Sequence, residues 1–252
     1  MIWEKQWELF APNFKNGKAH IDLTPYGCPE ILQLYPGPGF GDLSHPTTRI
    51  VLELMKPYIQ NHAVLDIGCG SGILSLAAAA MGASEVHGYD IDPEAVEHAK
   101  KNATLYTNNL KNREFDKEGP QNLCSERATI VNRQGASENK NYETNPTQSK
   151  TDSSSCLCIS RFQKKIHFST RPPKKIPSIL LMNMISSEQA EAWSVIEDRI
   201  PSSATLITSG ILKEKANEYL DWRQRQGWKK EKQLREKGWI GFVLIPFIKN
   251  IH

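Results

Sequence analysis

Ala63-Val64-Leu65-Asp66-Ile67-Gly68-Cys69-Gly70-Ser71-Gly72 is the stretch whose reading decides the fold. Its apolar start predicts a short buried strand, and three alternate glycines separate it from the helical run Ile73-Leu74-Ser75-Leu76-Ala77. A glycine-rich turn between strand and helix lets a ligand approach bare backbone beside the amide-rich helix N-terminus. Val86-His87-Gly88-Tyr89 reads as a second strand that runs into Asp90. An acid at that place can accept hydrogen bonds from both hydroxyls of a ribose. The pair of features points to a nucleoside cofactor.

Glycine spacing narrows the choice. A dinucleotide fingerprint places glycines at its first, third and sixth positions. Counted from Gly68, the sixth position is Ile73, and the extra glycine stands at Gly72. No room is made for a pyrophosphate. Asp66 opens the turn, where it would repel phosphate but can orient a water or an ammonium group. Asp66-x-Gly68-x-Gly70-x-Gly72 resembles motif I of the class I S-adenosylmethionine methyltransferases, and Asp90 resembles their ribose-binding acid.

At 252 residues the chain suits one α/β domain with an attachment, and its formal charge of +3 argues for no particular partner. Five cysteines, an odd count with no secretory signal at Met1, predict reduced thiols in the cytoplasm. No apolar run approaches the length of a membrane span, so no membrane partner is expected. Cys156-x-Cys158 lacks the second ligand pair of a zinc site, and no metal is expected.

Residues 1–36 predict a helix carrying Trp3, Trp7 and Phe10, then strands Ala19–Leu23 and Ile31–Tyr35, a segment too small to stand alone and so packed on the core. Residues 37–110 hold the glycine-containing loop Gly37–Ser44, a helix from Arg49 to Ile59 and the strand–helix–strand around the central turn. A further helix comes next, with Asp92 as its cap, Pro93 in its first turn and Ala95, Val96, Ala99 and Ala103 inward. Thr47 and Thr48 stand where a cap for the helix before the turn belongs, and His45 is a base candidate or a local hydrogen-bond partner. Residues 111–176 read as a polar, basic insertion, partly disordered, with Ala128–Val131 and Leu157–Ile159 as its only strand-like runs. Arg161–Lys175 has six Lys/Arg and no acid, a composition that can touch nucleic acid but more simply makes a solvated linker. In residues 177–252, Ile179–Met182 reads as a buried strand ending at Asn183, and Ser186-Ser187-Glu188-Gln189 as a capping box. Ala204–Ile207 is a further strand, and a terminal hairpin turns at Lys237-Gly238. The fold class is α/β, a Rossmann-like, doubly wound, mostly parallel sheet with an antiparallel C-terminal hairpin strand.

With these pieces placed, the chain resembles the PrmA family, the lysine methyltransferases of the eleventh large-subunit ribosomal protein. The likeness rests on Trp3-x-x-x-Trp7, on Phe40-Gly41 with His45-Pro46-Thr47-Thr48, on Asp66–Leu74 and on Asp90-Ile91-Asp92-Pro93. Asn183-Met184-Ile185 and Ser209-Gly210-Ile211-Leu212 complete it. It implies S-adenosyl-L-methionine as cofactor, held by Thr47, Gly68, Asp90 and Asn183, with Asp66 and Gly70 lining the same pocket. Asn183 would also stand beside the methyl group and the incoming amine, as the catalytic residue. The implied partner is a protein substrate, a ribosomal one, methylated on a lysine or N-terminal amine. Two departures stand out: Asp42-Leu43 replaces the family loop's Thr-Gly, and the family's N-terminal substrate domain has no counterpart here. Two other readings stay open: an RNA or small-molecule methyltransferase, and a catalytically silent binding module on the same fold.

Overall fold

In the computed structural model, residues 2–11, 13–117 and 166–247 are described. The strand-like runs Ala128–Val131 and Leu157–Ile159, the Cys156-x-Cys158 pair and most of the polar insertion lie outside them. The described elements are α1 (Ile2–Phe10), β1 (Ala19–Asp22), β2 (Ile31–Leu34), α2 (Pro46–Ile59), β3 (Ala63–Ile67), α3 (Ile73–Ala80), β4 (Glu85–Tyr89) and α4 (Pro93–Lys117). They continue with β5 (Ile166–Ser169), β6 (Ile179–Asn183), α5 (Ser186–Ser194), β7 (Thr205–Leu212), α6 (Ala216–Arg225), β8 (Trp228–Glu236) and β9 (Trp239–Pro246).

Seven strands form one sheet in the order β5-β4-β3-β6-β7-β9-β8. The first five named are parallel, and β9 runs antiparallel between β7 and β8. The buried apolar runs Val64–Leu65 and Ile179–Met182 are continuous rather than alternating, as a strand covered on both faces requires. Gly241 on β9 lies against Ile50 of α2, while the adjacent Phe242 stacks on Tyr219 of α6 at 5.9 Å. Successive side chains on a strand point to opposite faces, so α2 and α6 cover opposite faces of the sheet. The order of the strands reverses between β3 and β6, and ligands of open α/β sheets bind outside the carboxyl ends at such a switch point.

Several local expectations hold and some need correction. Asp92 caps α4, its carboxylate accepting the Glu94 N–H at 2.9 Å. The cap of α2 is His45 rather than either threonine, because Pro46 already occupies the first helical position. Ser186 makes no cap: the residue at that place is Ile185, without a side-chain hydrogen bond, and Gln189 turns inward. Ile166–Ser169, expected within the insertion, is the parallel edge strand beside β4, and its Phe168 covers Gly72 and Gly88.

The C-terminal hairpin turns through Lys237 at φ 47° and Gly238 at φ 83°. Two consecutive positive φ values make the twist-compatible turn that favours Asn-Gly. Lys237→Asn should therefore raise stability by about 0.5 kcal/mol, because a left-handed lysine carries a steric cost that asparagine largely escapes. The urea unfolding midpoint measures it, and a midpoint below the wild type's would contradict the turn assignment.

Candidate functional site

Beyond the carboxyl ends of β3, β4, β6 and β7 lies a cavity of about 730 Å³. Thr47, Gly68, Gly70, Asp90 and Asn183 all line it. Asp66 does not. Its side chain is buried at 1% exposure beneath the turn, where Ser75 Oγ donates to Oδ2 at 2.7 Å. Burial pushes the Asp66 carboxyl up to about 7, only partly offset by the hydrogen bonds from Ser75.

The turn itself is built from committed backbone. Gly68, Gly70 and Gly72 all have positive φ, which side-chain-bearing residues resist. The N–H groups of Gly68 and Cys69 both donate to the Tyr89 carbonyl, at 2.7 and 3.0 Å. Gly70 N–H donates to Asp90 Oδ2 at 3.0 Å, Ser71 N–H to the Phe40 carbonyl at 2.9 Å and Gly72 N–H to the Cys69 carbonyl at 2.8 Å. Every amide of the turn has a protein acceptor. It cannot offer the ring of free donors on which phosphate sites depend.

Asp90 is held by the same bonds. One carboxylate oxygen takes the Gly70 N–H and the other the Asp92 N–H, each at 3.0 Å. A carboxylate offers about four acceptor positions, so both oxygens retain capacity for hydroxyl donors.

Asn183 ends β6. Its amide group donates to Thr48 Oγ1 at 3.2 Å, while its side-chain carbonyl oxygen is buried without a hydrogen-bond partner. A buried unsatisfied acceptor costs roughly 1–3 kcal/mol, a cost that native structures keep where a ligand supplies the donor. Beside it, His45 Nδ1 accepts from Thr47 N at 3.4 Å and lies 2.8 Å from Thr47 Oγ1. The His45 ring stands edge-on between Phe40 and Trp239, with centroids at 5.7 and 4.9 Å. Burial and the Arg49 charge lower its pKa, which keeps Nδ1 an acceptor and favours the capping role over that of a charged group.

The wall facing the turn is the segment Gly37–Gly41, and sequence reasoning missed what holds it. His98 Nδ1 accepts the Gly39 N–H at 3.2 Å, and Nε2 bonds the Tyr35 carbonyl at 2.7 Å. One turn further along α4, Asn102 accepts the Tyr35 N–H at 2.8 Å and donates to the Ser71 carbonyl at 2.9 Å. A spacing of four puts both side chains on one helix face. Only the buried alanines around them, read as a plain apolar stripe, hinted that this face is the inner one. Leu43, standing where the resembled loop has glycine, keeps a φ of 72°.

A sheet in this strand order, with a glycine turn after the first core strand and an acid at the end of the second, is the class I methyltransferase fold. The solved ribosomal protein L11 methylase of Lactobacillus delbrueckii subsp. bulgaricus shares it, with a TM-score of 0.58 at 19% identity over 96% of this chain and 92% of that one. Within that class, residues 18–132 match the family model described as ribosomal protein L11 methyltransferase (PrmA). It is 27% identical over 245 residues to the ribosomal protein L11 methyltransferase of Methylococcus capsulatus, covering 95% of this chain and 66% of that protein. It is 37% identical over 117 residues to that of Thermoanaerobacter sp., covering 44% of this chain and 37% of the relative. A protein of the same name in Dechloromonas aromatica is 53% identical over 81 residues, 32% of this chain and 27% of that one. The chain thus spans at most about two thirds of the length of these relatives.

Asp66 sets a pH dependence. Its folded pKa of about 7 lies above the unfolded value of 3.8, so between these values the folded state holds a proton that the unfolded state has lost. Stability therefore falls as pH rises from about 4 to 7 and is level beyond. Asp66→Asn removes the titration and should flatten that fall, read from urea unfolding at pH 5 and pH 7.5. An identical slope in the variant would mean that Asp66 titrates normally in the fold.

Proposed function

We propose that this protein is an S-adenosylmethionine-dependent methyltransferase acting on a protein amine, a lysine ε-amino or N-terminal α-amino group, of a ribosomal protein. The observation that carries the reading is the unpaired, buried carbonyl oxygen of Asn183 at the switch point. An amine nucleophile is a donor that such an oxygen can accept and aim. The relatives named above are called methyltransferases of a ribosomal protein, which supports the substrate class. Among the described residues no helix is long and apolar enough to cross a membrane.

The residues fit the cofactor. Asp90 would accept from the ribose hydroxyls, the Gly68–Gly70 turn would take the neighbouring part of the nucleoside against bare backbone, and Thr47 and Asn183 line the end nearest β6. When bound, S-adenosylmethionine supplies a methyl group already activated by its sulfonium charge. The chain's own part is alignment and exclusion of water. Asn183 holds the amine lone pair in line, and its bond to Thr48 fixes the side chain's orientation. The aromatic edges of Phe40, His45 and Trp239 make the acceptor end less polar than water. In such surroundings an ammonium gives up its proton more readily than in water, so no dedicated base is required.

The RNA reading is disfavoured by charge. The ionised groups lining the cavity are Asp90, Asp92, Glu188 and Glu191, and neither lysine nor arginine lines it. A phosphate backbone meets repulsion there, a cationic side chain attraction.

Two variants test the assignment. Asp90→Asn removes the charge behind the ribose hydrogen bonds, worth about 1.5–3 kcal/mol each, so calorimetry should show S-adenosylmethionine binding at least tenfold weaker. Unchanged affinity would put the ribose elsewhere. Asn183→Ala should slow single-turnover methyl transfer at saturating cofactor far more than it weakens cofactor binding, because orienting the nucleophile matters most in the transition state. A wild-type rate would remove the catalytic role.

A further inference from the structure

Behind the cavity wall lies a buried polar network that the proposed chemistry does not use. Arg223 of α6 is fully buried, its guanidinium between the Trp193 and Trp222 rings at 4.2 and 4.1 Å. Its described hydrogen-bond partners are all uncharged: Tyr219 Oη at 2.9 Å, Gln226 Oε1 at 3.2 Å, Gln189 Oε1 at 3.3 Å and Met182 Sδ at 3.6 Å. Burial lowers its pKa from the ordinary value. An arginine without a counter-ion is a costly thing to place in a core, and here the described bonds use four of its five N–H donors.

The centre of the network is Gln189. Its Oε1 accepts from Tyr219 Oη at 2.6 Å, from Thr208 Oγ1 at 3.1 Å and from Arg223. Its amide nitrogen donates to the Met184 carbonyl at 2.8 Å and the Ser209 carbonyl at 2.9 Å. Only this orientation works: the reverse would face the amide hydrogens with the guanidinium and the oxygen with two carbonyls. The carbonyl of Met184 lies just past the end of β6, and that of Ser209 lies where the register of β7 shifts between Thr208 and Ile211, beside the cavity. Met184 follows Asn183, Gly210 follows Ser209, and both line the cavity. The segments are pressed together, since a Cβ on Gly210 would stand 2.1 Å from the Met184 carbonyl oxygen and one on Gly68 would stand 2.0 Å from Met184 Cε.

We propose that Gln189 is the positioning residue of this site. Its two N–H groups bridge the end of β6 to the irregular part of β7, and so fix the backbone from which Asn183 and Met184 face the cavity. The Met184 and Ser209 carbonyls, which can only accept, turn the donating side of the amide toward the site, and Tyr219, Thr208 and Arg223 saturate its oxygen without any one of them being required for that orientation. The inference rests on the methyl-transfer reading for its consequence but not for its geometry.

Gln189→Glu isolates the donor function. A carboxylate keeps the acceptor for Tyr219, Thr208 and Arg223, and gives Arg223 a counter-ion, but it cannot donate to either carbonyl. Arg223→Leu is the converse, leaving both donations in place; Tyr219→Phe replaces it as the control if that variant does not fold. Three quantities are read in each folded protein: the urea midpoint, S-adenosylhomocysteine affinity, and single-turnover methyl transfer to a ribosome-containing extract. Transfer in Gln189→Glu should fall by roughly tenfold or more with affinity within about threefold, as misplacement of reacting groups predicts. The control should keep the wild-type rate whatever its stability. Equal rates in Gln189→Glu and wild type, or a loss that follows the urea midpoint across both variants, overturn the proposal. The methyl resonance of carbon-13-labelled Met184 decides it without turnover. A shifted, broadened signal in Gln189→Glu and an unmoved one in the control support the bridge; an unmoved signal in Gln189→Glu removes it. Wild-type protein that transfers no methyl group would count against the function proposed above, while the Met184 signal would still judge the bridge.

Discussion

The site depends on one close approach, backbone against backbone, between Gly39 and the Gly70–Ser71 peptide. A Cβ on Gly39 would lie 2.4 Å from the Gly70 carbonyl carbon, and one on Gly70 would lie 2.5 Å from the Phe40 carbonyl oxygen. Glycine at both positions is what allows the wall and the turn to interlock. The approach brings the Ser71 N–H to the Phe40 carbonyl and Ser71 Oγ to the Gly41 carbonyl at 2.5 Å. Asn102 closes the arrangement from below by bonding both sides. With Asp90 taking the Gly70 N–H, the turn ends with no spare donor. The glycine-rich turn, whose spacing already made no room for a pyrophosphate, is in structure one that suits an uncharged or cationic ligand.

Legibility follows the range of the forces involved. The turn, Asp90 and the strand that ends at Asn183 were readable because each is fixed by its own few residues: positive φ at glycine, an acid at a strand end, an unbroken apolar run. The hairpin at Lys237-Gly238 was readable for the same reason. What the sequence hid depends on partners distant along the chain. His98 and Asn102 look like ordinary polar residues of a solvated helix, and only the arrival of Tyr35 and Gly39 makes them buried. Ser186-Ser187-Glu188-Gln189 has the composition of a capping box, but Gln189 finds better partners in Arg223 and Tyr219, far along the chain, than in its own helix start. The edge strand Ile166–Ser169 is four residues inside a basic run, too short for its alternation to stand out, and it is ordered by its pairing with β4.

Leu43 keeps a left-handed backbone although it is not glycine. The left-handed conformation at that position costs a non-glycine residue about 1–2 kcal/mol. It is held by Arg49, whose guanidinium donates to the Leu43 and Ser44 carbonyls at 2.8 and 2.9 Å and pairs with Glu236 at 2.6 Å. Asp42 adds a turn of its own, accepting the Ser44 N–H at 2.9 Å. The charge of Asp42 is thereby spent within the loop, and the residue is not among those that line the cavity. Asp42 and Leu43 thus tie the loop down and do not face the cavity.

Charge distribution carries the argument one step further. The chain is net positive, yet the ionised groups around the cavity are all acidic. Asp92, Glu188 and Glu191 are exposed, so each acts through screened water and is worth little as a single contact. Their effect is collective: a cleft of one sign concentrates ligands of the other and speeds encounter, more at low salt than at high. A sulfonium cofactor and an amine delivered as an ammonium, the ligands of the proposed reaction, are both cations that such a field would favour. In the proposed reaction an ammonium that entered would meet Phe40, Trp239 and the unpaired oxygen of Asn183, surroundings that would weaken its hold on the proton. Under that proposal, acids at the rim would attract the charged form and the less polar interior would favour the neutral one, separating attraction from activation along the path of the substrate.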